Sequence, residues 1–205
     1  MVLNSVLLLI LSIFINFAWP YSAYAGEPTD RIKAATDRLL SIITDPELKA
    51  PEVAEKRNRM IRETVDKVFD WEAFSRRALA THWGKRTPEE KKEFISLFGQ
   101  LLERTYIDKT RQYSGEKVVF LDEHIDGKYG EVKTNVITRN GKKIKVDYRL
   151  TKKKGGWFIY DVYVEGISFV NNYRVQFNNI INRSSYEDLV KRLKSKLVEE
   201  SQEQE

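Results

Sequence analysis

The apolar residues of this 205-residue chain change their spacing twice, and that limits the possible folds more than any single motif does. From about residue 30 to residue 106 they recur every three or four positions, the period of an α-helix. From residue 117 to residue 164 they alternate, the period of a strand. From about residue 168 the helical period returns. Helices first, a block of strands next and helices again predict an α+β fold. Its antiparallel sheet of about four strands would be covered by the N-terminal and C-terminal helices.

The boundaries are written in turn and cap residues. Pro28-Thr29-Asp30 starts a helix whose stripe is Ile32, Ala35, Leu39, Ile42 and Ile43, and Thr44-Asp45-Pro46 ends it. Pro51 opens a second, with Val53, Met60, Ile61, Val65 and Val68 on its apolar side. Phe69-Asp70-Trp71 then leads into a short helical piece, residues 74–83. Thr87-Pro88-Glu89-Glu90 is a capping box with proline at the first helical position. The helix after it carries Phe94, Ile95, Phe98, Leu101, Leu102 and Tyr106 on one face. Ser184-Ser185-Tyr186-Glu187-Asp188 offers another box, before a helix with Leu189, Val190, Leu193 and Leu197.

Strands are expected at 117–121, 131–138, 142–151 and 157–164. Around Asn140-Gly141 a two-residue turn would mix the faces. A three-residue loop, Arg139-Asn140-Gly141, sets Ile144 against Val136, Val146 against Thr134 and Tyr148 against Val132. Lys133 then meets Asp147 and Glu131 meets Arg149, so opposite charges pair across strands. The last strand is apolar on both faces, as a central or doubly covered strand is. If residues 152–156 form a five-residue loop, Tyr160, Val162 and Val164 face inward, and Trp157, Ile159 and Tyr163 face outward.

The first 25 residues contain no Asp, Glu, Lys or Arg and end Ala23-Tyr24-Ala25. They read as a cleaved secretory signal peptide, with a retained membrane anchor as the alternative. Residues 26–200 then form a single domain, and residues 201–205 a disordered tail. The absence of cysteine excludes disulfides, thiolate metal sites and cysteine nucleophiles. His82 and His124 have no partner at metal-ligand spacing, so no metal is expected. Ser114 and Lys117 match an SxxK pattern without its companion motifs. Thirty-five Lys+Arg against 30 Asp+Glu give a net charge of +5. Lys142, Lys143, Lys145 and Lys152-Lys153-Lys154 form a solvated face that blunts a sheet edge, and no nucleic-acid motif accompanies them. Aromatic residues concentrate between Phe69 and Phe177, as in an ordinary core or in the wall of an apolar cavity. Tyr148, Tyr160 and Tyr173 suit a cavity wall, since each joins an apolar ring to a hydroxyl.

Three groups of residues, in this order, resemble the MlaC (toluene-tolerance) family of periplasmic phospholipid-binding proteins. The first is Phe69-Asp70, Phe74, Ala78-Leu79 and Trp83. The second is Thr87, Phe94, Phe98, Leu101-Leu102 and Tyr106. The third is Trp157, Tyr160-Asp161-Val162, Glu165-Gly166-Ile167-Ser168-Phe169-Val170, Tyr173-Arg174 and Phe177, leading to Leu189 and Leu193. Two departures are Leu79-Ala80, where Leu-Gly is expected, and Ser184-Ser185-Tyr186, where a glycine turn is more usual. The resemblance implies a cone-shaped, NTF2-like fold with an apolar lipid cavity between sheet and helices. It implies a periplasmic shuttle, not an enzyme, that carries a glycerophospholipid as cargo, without cofactor, between outer and inner membranes and so maintains outer-membrane lipid asymmetry. Implied partners are an MCE-domain subunit of an inner-membrane ABC transporter and an outer-membrane lipoprotein–porin complex.

On that reading the sheet lines the cavity with Val132, Val136, Ile144, Val146, Tyr148, Leu150, Tyr160, Val162 and Val164. Phe98, Leu101, Leu102, Tyr106, Ile167, Val170, Tyr173 and Phe177 close it. Asp161, Glu165, Gly166 and Arg174 hold the strand-to-helix junction. The rival reading is an enzyme of similar shape with Asp161 or Tyr160 as acid or base in the cavity.

Overall fold

The computed structural model describes residues 27–110 and 113–202. The expected signal peptide and the last three residues of the expected tail lie outside the described residues. Among the described residues six α-helices pack with one antiparallel sheet: α1 (Glu27–Thr44), α2 (Ala54–Asp66), α3 (Trp71–Leu79), α4 (Pro88–Thr110), α5 (Phe169–Arg183) and α6 (Tyr186–Gln202). Ser201 and Gln202 thus continue the last helix rather than start a disordered tail, because nothing from Val198 onward breaks it. The strands are β1 (Lys117–Asp126), β2 (Tyr129–Ile137), β3 (Lys143–Lys153), β4 (Gly156–Val164) and β5 (Ile167–Ser168), in the order β1-β2-β3-β4-β5. The fifth strand, two residues long, adds to the four expected. No helix among the described residues is long and apolar enough to cross a membrane.

Caps form where the sequence places them. Thr87 Oγ1 accepts from the Glu90 amide (3.2 Å), and Glu90 Oε2 accepts from the Thr87 amide (2.8 Å), a reciprocal capping box. Ser185 Oγ accepts from the Asp188 amide at the start of α6. Asp70 caps α3 through the Ala73 amide and pairs with Lys153 at 2.5 Å.

The β2–β3 register matches expectation. Val136 faces Ile144, Thr134 faces Val146 and Val132 faces Tyr148, around the three-residue loop with Gly141 at φ 79. Arg149 meets Glu131 at 3.0 Å, while Lys133 reaches Asp122 of β1 at 3.4 Å.

The β3–β4 connection differs from expectation. It is a two-residue turn, Lys154-Gly155, closed by Lys153 opposite Gly156. Gly155 (φ 99) and Gly156 (φ 124) supply backbone angles open to glycine. The shorter turn sets Ile159 opposite Leu150, so Trp157 and Ile159 join the inner face instead of the outer one. Continued unbroken, this register would set Asp161 opposite Tyr148. A β-bulge prevents that: Arg149 faces Asp161 and Tyr148 faces Val162. Val162 and Val164 therefore return to the inner face, while Tyr160, the unpaired residue of the bulge, stays off it.

Both halves of the free edge of β4 are covered. Phe69 bridges Ile159 in parallel, with the Asp70 amide donating to the Ile159 carbonyl and the Ile159 amide to the Val68 carbonyl (2.8 Å each). β5 pairs with Tyr163 and Val164.

Three apolar clusters result. The largest joins α3, α4, α5 and α6 around Phe74, Phe94, Phe98 and Phe177, each ring burial contributing roughly 1.5–3 kcal/mol. The second lies on the inner sheet face: Val132, Leu150, Trp157, Ile159 and Val162 under Ile32 of α1. The third is small, Ile42, Leu48 and Ile61, and joins α1 to α2.

Candidate functional site

Where the three clusters meet they do not close. A cavity of about 490 Å³ remains between α1, α2, α3, α4 and the inner sheet face. Leu39 and Ile43 border it from α1, Ile61 and Val65 from α2, and Ile95, Gly99 and Leu102 from α4. Phe69, Trp71 and Phe74 form an aromatic wall, and Tyr148, Val162 and Phe169 close the sheet side. Phe69 stacks on Trp71 with centroids 4.9 Å apart, and Trp71 meets Phe74 edge-on at 6.1 Å. The i, i+4 spacing of Leu39 with Ile43 and of Ile61 with Val65 aims both pairs inward.

The polar lining gathers on one side. Arg62 and Asp66 of α2 face Ser96, Gln100 and Glu103 of α4, and all but Glu103 are exposed. The mouth therefore lies between α2 and α4. Arg62 forms an ion pair with Glu103 across it. Trp71 Nε1 donates to Asp66 Oδ1 at 2.7 Å, and Gln100 Nε2 donates to Ser96 Oγ at 3.0 Å.

At depth the surface is apolar apart from the Tyr148 hydroxyl. Burial pushes that hydroxyl up to about 12, against a smaller opposing effect of the Thr134 hydroxyl. Thr134, fully buried beneath, donates to the Val146 carbonyl at 2.8 Å.

Of the residues expected at the cavity, Leu102, Tyr148 and Val162 border it. Phe98, Leu101, Val170 and Phe177 are buried in the helix cluster, where Tyr173 packs 4.9 Å from Phe98. Val132 and Leu150 lie within the sheet-facing cluster, with Val146 and Val164 packed against it. Val136 and Ile144 are half-buried on the inner face near the hairpin end. Ile167, expected to close the cavity, is 64% exposed in β5, because the tight Glu165-Gly166 turn carries it outward. Tyr106 is on α4, but its side chain lies outside the described residues. Because the two-residue β3–β4 turn brings its neighbour Ile159 inward instead, Tyr160 leaves the cavity. Its ring lies 4.0 Å from the Arg77 guanidinium and 6.2 Å from the Tyr129 ring.

Asp161 is buried off the cavity. Its Oδ1 accepts from the Val162 and Val170 amides, at 2.8 and 3.1 Å. Its Oδ2 accepts from Ser168 Oγ at 2.6 Å, and Ser168 Oγ accepts from the Asn171 amide, capping α5. Glu165 (φ 51) and Gly166 (φ 79) make the β4–β5 turn, where Glu165 Oε1 accepts from the Lys145 amide. Arg174 Nε donates to the Arg77 carbonyl at 3.0 Å, tying α5 to α3. Neither Asp161 nor Tyr160 borders the cavity, which removes the acid–base arrangement of the rival reading.

Half of the lining comes from α1, α2 and the Phe69–Phe74 stretch, whose apolar stripes read in the sequence as ordinary core. Gly99 was the available signal, because a glycine inside a helix costs about 1 kcal/mol and calls for a packing reason.

An apolar interior behind a charged mouth is the geometry of a container for an amphiphile: α+β, one sheet, a helical cover. The chain belongs to the MlaC family, whose model matches residues 33–195. It is 22% identical over 167 residues to the intermembrane phospholipid transport system binding protein MlaC of Haemophilus influenzae, covering 79% of this chain and 78% of that protein. It is 26% identical over 175 residues to the toluene tolerance protein ttg2D of Pseudomonas putida, covering 82% and 79%. A phospholipid-binding protein of Ralstonia solanacearum, solved in complex with a phospholipid, has the same fold. The TM-score is 0.77 at 24% identity, over 86% of this chain and 99% of that one.

Proposed function

We propose that the chain binds a glycerophospholipid by its acyl tails and carries it through the periplasm between outer and inner membranes. In this role it maintains outer-membrane lipid asymmetry. It would exchange cargo with an MCE-domain subunit of an inner-membrane ABC transporter and with an outer-membrane lipoprotein–porin complex. Export would be directed by residues 1–25. The observation that carries the reading is the cavity itself: apolar at depth, polar only where α2 faces α4. The phospholipid named for the relatives supports the same cargo.

The energetics fit. Each methylene taken from water contributes about 0.8 kcal/mol, so two long tails represent roughly 20 kcal/mol. Carriage through water demands enclosure, and transfer to another apolar site returns most of that energy. Native mass spectrometry of the purified protein, followed by lipid extraction, tests the reading. Bound phospholipid is expected; protein that acquires none even from phospholipid vesicles would refute it.

A further inference from the structure

We infer that the cavity mouth selects among phospholipid headgroups and favours zwitterionic, amine-bearing ones over anionic ones. The inference rests on the carrier reading and deepens it. Among the described residues, the charged groups lining the cavity are one guanidinium, Arg62, and two carboxylates, Asp66 and Glu103. All three sit at the mouth, where a headgroup must lie if the tails fill the apolar depth. Arg62 is paired with Glu103 across the opening, and Asp66 is held in place from the Trp71 indole.

A phosphodiester offers Arg62 a second, geometrically matched anion, since guanidinium binds phosphate through paired hydrogen bonds. Arg62 is half-exposed, so its bond to Glu103 is readily exchanged. When Arg62 turns to the phosphate, Glu103 and Asp66 are left facing the remainder of the headgroup. An ethanolamine ammonium satisfies them. A glycerol headgroup carries the phosphate charge but no cation, and leaves two carboxylates beside an anion. The discrimination of one partly exposed ion pair corresponds to about threefold in binding.

The test equilibrates the purified protein with vesicles of equal parts phosphatidylethanolamine and phosphatidylglycerol, with identical acyl chains, and counts the bound lipids after extraction. The native protein is expected to hold ethanolamine lipid in about threefold excess. Glu103→Lys reverses the preference, and Arg62→Gln lowers loading of both lipids. Gln100→Lys adds a cation to the same mouth without touching the ion pair, and shifts the ratio the same way as Glu103→Lys. Equal loading by the native protein overturns the inference and leaves the carrier reading standing, as does a ratio unmoved by both lysine variants. Native protein that takes up neither lipid overturns both.

Discussion

Ala80, the C-cap of α3, sits at φ 48 and ψ −119, where an L side chain is strained. Its amide still donates to the Arg76 carbonyl, so the end of the helix imposes the conformation. Strain of this kind costs about 1–3 kcal/mol, and glycine escapes it at a smaller entropic cost. Ala80→Gly is expected to raise unfolding stability by about 1 kcal/mol in a urea titration. A loss of stability would mean that the backbone there is not left-handed. Tyr148 gives a pH test. Its hydroxyl is raised from 10.0 to about 12 by burial, so the fold favours the neutral phenol. Its contribution is complete below pH 10 and is lost as pH rises from about 10 to 12. Between pH 9 and pH 11.5 the native protein should lose about 2 kcal/mol more stability than Tyr148→Phe, which keeps the ring and cannot ionise. Parallel losses in the two proteins would place that hydroxyl in water.

Helix α2 is the part of the cover most able to move. Ile42, Leu48 and Ile61 form the only buried cluster among the described residues that joins it to α1, and the Arg62–Glu103 pair links it to α4 at the mouth. Helices α3 to α6 share a far larger core. Amide exchange in α2 should therefore slow at least tenfold when phospholipid vesicles load the protein, while β2 and β3 amides stay unchanged. Equal slowing in both would argue for a rigid container. The same elements separate what the sequence discloses from what it hides. The β2–β3 register is legible because only one loop length pairs Glu131 with Arg149 and keeps both faces consistent. Half of β4 is misread because turn length and bulge are set by Gly155, Gly156 and the buried needs of Asp161, none of which alters the alternation. On α4 the strongest apolar stripe, Phe94, Phe98 and Leu101, packs against other helices. The cavity belongs to the weaker neighbouring stripe of Ile95, Gly99 and Leu102, because large side chains fill space and small ones leave it.

At the scale of the whole molecule, a helical layer over one sheet leaves its unfilled volume at the junction of three clusters, and Gly99 keeps part of that volume open. A side chain there would meet nothing within 4 Å of its Cβ. Replacing a mid-helix glycine by phenylalanine also favours α4 by about 0.3–0.5 kcal/mol. Gly99→Phe should therefore fill the cavity without weakening the fold, which separates loss of binding from loss of structure. The decisive measurement is native mass spectrometry of native and Gly99→Phe protein purified side by side, with unfolding temperatures recorded for both. Phospholipid is expected on the native protein, and at less than half that level on a variant that unfolds at the same temperature or higher. A stable Gly99→Phe protein with a full complement of lipid would contradict the assignment of this cavity as the lipid site.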